Sequence, residues 1–205
     1  TNYNIGYSYF KKKDYPAAIE WFRKFIAFKE ETDSAKIKDS YLRIADGYYI
    51  GQKYADAVEY YDKAIGFKTS DFSRGDIDYA MFQKAVAMGI LKKNDEKMAI
   101  LENLLSEYKE SKYAVDATYQ LAKSHMTKNE NDKALVNFNS IVSNYPNSSY
   151  VKKSMLNIAQ IYFNNNELDK SLEVFKNFVD NYPNFDDSQT ALEQILSIYT
   201  KLNKV

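Results

Sequence analysis

Apolar residues along this chain recur at intervals of three and four, and polar residues fill the positions between them. The stretches MLNIAQIYF (155–163) and LEVFKNFV (172–179) show this spacing. A period near 3.6 residues places apolar side chains on one face of an α-helix, whereas a half-buried strand alternates at every second residue. The pattern therefore predicts an all-α chain.

Short polar segments separate the periodic stretches and mark the turns between helices. They include KKKDY, GQKY, KKND, KNEND and NNNELD. The longest break, KTSDFSRGD (68–76), is expected to be a flexible insertion. The chain has only 6 glycines and 3 prolines, too few for a turn-rich β fold. Together the breaks predict eleven helices of roughly 11–18 residues.

One helical hairpin is repeated along the chain. A small residue recurs in the first helix of each hairpin at spacings of 39, 40, 37 and 37 residues. Sixteen positions after each small residue comes a bulky one, which is aromatic in four of the five hairpins. A small residue lets two helices approach closely, and a bulky side chain of the partner helix fills the adjoining space. The small residues are Gly6, Ala45, Ala85, Ala122 and Ala159.

This pattern resembles the tetratricopeptide repeat, in which a small residue, a tyrosine, an alanine, an aromatic residue and a proline recur in order. The tyrosine position holds Tyr9, Tyr48 and Tyr162, with Met88 in the third repeat and His125 in the fourth. The resemblance covers the whole chain. It implies an all-α, right-handed superhelical solenoid of about five and a half helix-turn-helix repeats.

The resemblance also implies one solenoid domain over residues 1–205. The approximate repeats are 1–33, 34–75, 76–110, 111–147 and 148–184, followed by a last helix at 185–205. The third repeat departs most from the pattern, because Lys84 and Lys97 occupy positions that are normally apolar or small. The chain opens inside a predicted helix, so we expect a fragment of a longer protein with further repeats upstream.

The tetrapeptide Asn-Tyr-Pro-Asn occurs twice, around Pro146 and Pro183, 37 residues apart. Proline lacks the N–H that continuation of a helix needs and disfavours helical geometry in the residue before it. Each copy is therefore expected to end the second helix of a hairpin. SEYKES (106–111) is the same joint with Lys109 in the proline position. The recurrence is interpreted as an architectural joint and not as a binding or cleavage motif.

The composition excludes catalysis by a thiolate and metal sites built from cysteine and histidine. The 205 residues include no cysteine and a single histidine, His125, so neither a thiolate nucleophile nor a Cys/His zinc site can be assembled. No glycine-rich phosphate loop occurs, and KNENDK (128–133) lacks the spacing of a calcium loop. Lys+Arg and Asp+Glu number 28 each, without the positive excess typical of nucleic-acid binding. We expect no enzyme, no metal or other cofactor, and no nucleic-acid partner.

Binding is instead expected in the concave groove that the resemblance implies, which first-helix residues beside the core positions line. An apolar, aromatic groove suits an extended or helical segment of a protein partner. Packing of these aromatic residues against neighbouring first helices is the alternative. The expected partner-binding residues are Tyr7, Phe10, Asp46, Tyr49, Phe82, Tyr119, Lys123, Met126, Gln160 and Phe163.

The segment FNSIVSNYPNSSYVKKSMLNIAQIYF (138–163) is similar to repeats of bacterial cell-envelope proteins of the Tol-Pal coordinator and outer-membrane assembly lipoprotein type. The resemblance implies a periplasmic or outer-membrane-associated protein–protein interaction scaffold. No apolar run approaches about 18 residues and no signal peptide is visible in this segment, so no membrane insertion is expected. Two alternatives stay open: a glycan- or cell-wall-binding module, and an architectural part of a longer repeat array without a ligand of its own.

Overall fold

The structure, a computed structural model, describes residues 1–28, 33–67 and 74–202. Most of the insertion expected at 68–76 lies outside the described residues. Within those ranges the chain forms eleven α-helices of 10 to 17 residues and no strand, which confirms the all-α prediction. The helices are α1 (Asn2–Lys11), α2 (Tyr15–Ile26), α3 (Ser34–Ile50), α4 (Tyr54–Gly66), α5 (Arg74–Ile90), α6 (Asn94–Glu107), α7 (Ala114–Thr127), α8 (Asn131–Asn144), α9 (Tyr150–Asn164), α10 (Leu168–Asn181) and α11 (Ser188–Lys201).

Residues 1–114 form one compact unit. Each helix from α1 to α5 packs against the next helix along the chain. The largest fully buried side chains of this unit include Phe22, Tyr61 and Leu101, one from the second helix of each hairpin. Packing between sequence neighbours, with a continuous core, is the arrangement of stacked helix-turn-helix repeats.

Residues 115–205 form a second compact unit. Ala122 of α7 and Phe138 of α8 lie in one buried cluster with Ile158 and Ile161 of α9. The helices from α8 to α11 again pack each against the next. Each unit therefore has solenoid architecture, and the expectation of a single solenoid over residues 1–205 stays a prediction.

The small residue of each first helix is buried, as the repeat pattern predicts. Gly6 is buried, and a Cβ atom added to it would lie 3.0 Å from the Phe22 ring. The bulky residues of the second helices are 0–3% exposed. Because the ring and the small residue fit only in one register, this pair aligns the two helices of the hairpin. The bulky residues are Phe22, Tyr61, Leu101, Phe138 and Phe175.

Each hairpin turn contains one residue with left-handed backbone geometry. The next residue's N–H donates to the carbonyl of the residue in the tyrosine position, as Asp14 does to Tyr9 at 3.0 Å. This hydrogen bond closes the first helix as a Schellman motif. None of the five residues is glycine, although a Cβ atom makes this conformation unfavourable by about 1 kcal/mol or more. With φ of 60–62°, they are Lys13, Gln52, Lys92, Asn129 and Asn166.

Glycine at the left-handed position should stabilise the hairpin by an amount that depends on the residue replaced. Lys92→Gly relieves the strain of the Cβ atom and is expected to raise the free energy of unfolding by about 0.5–1 kcal/mol. Asn129→Gly is the matched control and should gain less, because asparagine tolerates this conformation. Urea unfolding followed by circular dichroism measures both. Equal gains, or a loss in Lys92→Gly, would contradict this account.

The second helices of three repeats end in the same geometry. Tyr108, Tyr145 and Tyr182 follow α6, α8 and α10 with φ between −132° and −123° and ψ between 52° and 56°. In each joint the tyrosine carbonyl accepts a hydrogen bond from the N–H three residues later. Proline follows Tyr145 and Tyr182, whereas Lys109 follows Tyr108. The bend therefore forms with or without proline.

Proline at residue 109 should stabilise the joint that lacks it. Lys109 is the second residue of a four-residue turn, a position that favours proline. Lys109→Pro is expected to raise the free energy of unfolding by about 0.4–1 kcal/mol, because proline restricts the unfolded chain. Pro146→Lys is the reciprocal change, and chemical denaturation should show a loss of similar size. Destabilisation by Lys109→Pro would show that its backbone does not match that of Pro146.

Candidate binding site

The ten residues expected to line a groove lie on first helices, five in each compact unit. The first unit carries them on α1, α3 and α5, and the second unit carries them on α7 and α9. Eight are half-buried, Lys123 is exposed, and Asp46 is buried. Each set belongs to its own unit.

The aromatic groove residues of α1, Tyr7 and Phe10, are half-buried. The Tyr7 ring meets Phe22 edge-on, with ring centroids 6.4 Å apart at an interplanar angle of 88°. The Phe10 ring packs against Tyr15 at 5.3 Å, and the Arg43 guanidinium lies 5.6 Å from its centroid. Both rings are therefore held in position while part of each surface stays accessible.

Tyr49 and Phe82 are held in the same way on α3 and α5. The Tyr49 ring contacts Tyr54 with centroids 5.4 Å apart, and burial raises the pKa of the Tyr49 hydroxyl. Phe82 stacks on Tyr113 at 5.3 Å with an interplanar angle of 13°. Each ring makes one aromatic contact within the unit and is half-buried, so a partner could cover the remaining surface.

Asp46 takes part in a buried hydrogen-bond network. Its Oδ1 accepts hydrogen bonds from the hydroxyls of Tyr61 at 2.8 Å and Tyr79 at 2.7 Å. Its Oδ2 accepts one from Arg43 Nη1 at 2.7 Å. Burial raises the pKa of the Asp46 carboxyl, and the Arg43 charge and the two tyrosines oppose that rise. The carboxylate thus binds groups of its own unit.

The network continues from Arg43 to the first hairpin. Arg43 Nε donates to Asp39 Oδ1 at 3.2 Å, and the Tyr3 hydroxyl donates to Asp39 Oδ2 at 2.8 Å. Burial and the bond to Asp39 raise the pKa of Tyr3. The sequence reasoning did not include Arg43. Its position four residues after Asp39 and three before Asp46 on one helix was the available signal.

In the second unit, Tyr119 is tied to the core. Its ring stacks on Tyr150 with centroids 4.5 Å apart, and it meets the fully buried Phe138 edge-on at 5.8 Å. The Tyr150 hydroxyl donates to Asp116 Oδ1 at 2.8 Å, and burial together with this bond raises the pKa of Tyr150 to about 12. Truncating Tyr119 would therefore disturb both the core and this tyrosine pair.

The polar members of the second unit are bound to side chains of first helices. Lys123 Nζ donates to Asn157 Oδ1 at 3.3 Å, which joins α7 to α9. Gln160 Nε2 donates to Asn164 Oδ1 at 2.8 Å within α9. These groups lie near the surface, so an incoming peptide backbone could exchange with them as a hydrogen-bonding partner.

The apolar members, Met126 and Phe163, are half-buried on α7 and α9. The Lys201 ammonium group lies 4.0 Å from the centroid of the Phe163 ring. Phe163 also packs at the edge of the core cluster that α9, α10 and α11 share. An accessible ring beside a cation can accept an aromatic or acidic group of a partner.

The single histidine lies in the last turn of α7. His125 is 4% exposed, and its Nδ1 lies 2.7 Å from Glu130 Oε2. The Glu130 N–H also donates to the His125 carbonyl at 2.9 Å. The imidazole ring and the backbone carbonyl of His125 thus both bind Glu130 and stabilise the turn between α7 and α8. The bond to His125 is the main cause that lowers the pKa of Glu130. In the described part of the chain, no group of three or more His, Asp or Glu side chains could hold a metal ion.

A tetratricopeptide-repeat family model matches residues 1–32. The fold is similar to the crystal structure of YrrB, described as a tetratricopeptide-repeat protein with an unusual peptide-binding site. The TM-score is 0.69 at 16% identity, over 94% of this chain and 90% of that chain. The chain therefore has the fold of tetratricopeptide-repeat proteins.

Two further solved structures are similar to this chain in fold. A MamA structure has a TM-score of 0.66 at 17% identity over 98% of each chain. A tetratricopeptide-repeat protein from Parabacteroides merdae has a TM-score of 0.71 at 15% identity, over 99% of this chain and 73% of that one.

An outer membrane lipoprotein family model, YfiO, matches residues 117–192 of this chain. This match begins in α7 and ends in α11. A search of curated proteins gave no match. Among the residues that the structure describes, no helix has the length and apolar character that crossing a bilayer requires.

Asp46→Asn should destabilise the first unit by about 2–4 kcal/mol. An amide in this place removes the negative charge that the Arg43 guanidinium faces in the interior, and it offers one acceptor oxygen where the carboxylate offered two. Urea unfolding measures the cost. Asp180→Asn, at an exposed site in α10, is the control and should change stability by less than about 0.5 kcal/mol. Equal effects of the two substitutions would mean that the network contributes little.

Proposed function

We propose that this chain is a non-catalytic scaffold of the tetratricopeptide-repeat type that binds a segment of a partner protein along its first helices. The observation that carries the proposal is the recurrence of half-buried aromatic rings on successive first helices. Phe10, Tyr49 and Phe82 lie on α1, α3 and α5 of the first unit, and Phe163 lies on α9 of the second.

The conformations of these rings are already restricted by contacts within the chain, which favours binding. Phe82 is stacked on Tyr113, and Phe10 is packed against Tyr15. A ring that is already ordered loses little conformational entropy when a partner covers it, and it brings a large apolar surface. Lys123 and Gln160 add polar groups beside the apolar ones in the second unit, which suits a peptide with both kinds of side chain.

The composition supports a non-catalytic role. The chain has no cysteine, and its one histidine is 4% exposed and bonded to Glu130. Among the groove residues, the carboxylate of Asp46 is occupied by Arg43 and two tyrosines. The peptide-binding site named for YrrB supports a peptide as the kind of ligand, by analogy of fold.

We further propose a bacterial cell-envelope setting, periplasmic or associated with the outer membrane. The match of residues 117–192 to the outer membrane lipoprotein family supports it. The scaffold would act there by presenting its first-helix faces to a partner.

The test is capture of partner proteins from the envelope fraction of the source organism, quantified by mass spectrometry. Tyr49→Ala with Phe163→Ala should lower capture by about tenfold, because two accessible rings are lost. These positions are preferable to Tyr119, whose ring contacts the buried Phe138. Val136→Ala is the matched control, since Val136 on α8 is 70% exposed and lies outside the set. Circular dichroism should show the same helix content in all variants.

Unchanged capture by the double variant would refute the groove. Retention of the wild-type chain on immobilised cell-wall glycan, lost in the same variant, would favour a glycan-binding module instead. Capture of no protein and no glycan would favour an architectural segment without its own ligand.

A further inference from the structure

A cleft of about 370 Å³ lies in the second unit between the second helices α8 and α10, with α9 as its floor. Met155 and Ile158 of α9 form the base, and Val142 and Val174 form the walls. None of the ten groove residues lines it. Its volume falls within the range of about 300–1,000 Å³ that is typical of ligand sites.

The repeat register gives each cleft residue an equivalent in the first unit. Asn139 follows the small residue of its repeat by 17 positions, as Arg23 does in the first repeat. Val174 follows its small residue by 15 positions, as Tyr60 does in the second repeat. The pair Asn139 and Val174 therefore corresponds to the pair Arg23 and Tyr60.

In the first unit, the Arg23 and Tyr60 side chains fill the space between the second helices α2 and α4. Arg23 Nε donates to the Tyr60 hydroxyl at 3.0 Å, and the guanidinium lies 5.4 Å from the centroid of the Tyr60 ring. The Tyr60 ring also contacts Tyr41, the equivalent of Met155, with centroids 6.3 Å apart. An aromatic ring and a cation of the chain itself thus occupy the place that is open in the second unit.

The joint between α4 and α6 is closed in a different way. Lys84 and Asp62 hold the positions that Ile158 and Asn139 hold in the second unit, and their side chains form an ion pair. This pair connects α5 to α4 across the joint. The lysine that departs from the repeat pattern therefore has a role, and the second unit has neither of the two closures.

Glu173 at the rim of the cleft lacks the cation that its equivalent has. Glu59, also 14 positions after its small residue, pairs with Lys63 at 2.6 Å. The Lys63 ammonium group lies 4.3 Å from the centroid of the Tyr60 ring. Asn177 stands at the position of Lys63 in the second unit. Among the residues that the structure describes, Glu173 forms no ion pair.

We propose that this cleft binds an extended segment of a partner protein that carries an aromatic residue next to a lysine or arginine. The ring would occupy the space that Tyr60 fills in the first unit, against Val174 and Met155. The cation would pair with Glu173 as Lys63 pairs with Glu59. The exposed amide of Asn139 offers both a donor and an acceptor to the peptide backbone. This site is separate from the first-helix groove.

The direct test uses the acetylated and amidated hexapeptide Ser-Ala-Tyr-Arg-Ala-Ser as probe. Titration into the whole chain with ¹³C-labelled methionine methyl groups should shift the Met155 signal until it saturates. The peptides with Ala for Tyr, or with Glu for Arg, should leave that signal in place. No shift of Met155 at millimolar Tyr-Arg peptide would overturn the proposal.

Two variants locate the peptide in the cleft. Asn139→Arg with Val174→Tyr reproduces the closure of the first unit and should weaken binding by at least about tenfold while raising the melting temperature. Glu173→Gln, at an exposed position, should weaken binding about threefold with the fold unchanged. Val136→Ala, outside the cleft, should bind as the wild type does.

Equal affinity of the filled variant and the wild type would overturn the proposal. So would a Met155 shift that follows the concentration of the chain itself, together with self-association in analytical ultracentrifugation, because the occupant would then be a second copy. Loss of partner capture in Tyr49→Ala with Phe163→Ala concerns only the first-helix groove. Failure of one site is therefore distinguishable from failure of the other.

Discussion

The close approach of the two helices in each hairpin is the constraint on which the rest of the structure depends. Gly6 leaves room for the Phe22 ring at a distance where a Cβ atom would stand 3.0 Å away. The equivalent alanines, Ala45 and Ala85 among them, are fully buried. Because a ring and a small residue fit together in one register, the turn that follows the first helix falls at the same place in every repeat. The side chains outside this contact are then free to differ.

Much of the fold could be predicted from sequence, because it depends on short-range spacing. Helical periodicity and the recurring small residue gave eleven helices and the joints between them. The left-handed turn residues were not predicted. Glycine usually indicates that geometry in a sequence, but Lys92 and Gln52 stand at two of these positions. Tertiary packing imposes the conformation there, as it imposes the proline-type bend before Lys109.

The candidate site was less predictable, since contacts distant in sequence decide how much of a side chain is available. Spacing along α3 placed Asp46 beside the core positions, but hydroxyls from Tyr61 and Tyr79 on other helices surround its carboxylate. Tyr119 on α7 likewise reaches Phe138 on the next helix. Helical spacing predicts the direction of a side chain and not the partners that other helices bring to it.

Differences between repeats therefore say more about binding than the features they share. In the first unit, Arg23 binds Tyr60 and Asp62 binds Lys84. The equivalent residue in the second unit, Asn139, lies beside smaller apolar side chains. Side chains of the chain that fill the space between two second helices stabilise the fold. Where that space is open, apolar surface stays accessible and a partner can cover it. A repeat protein can thus exchange internal packing for binding capacity one joint at a time, without changing the contact that sets its register.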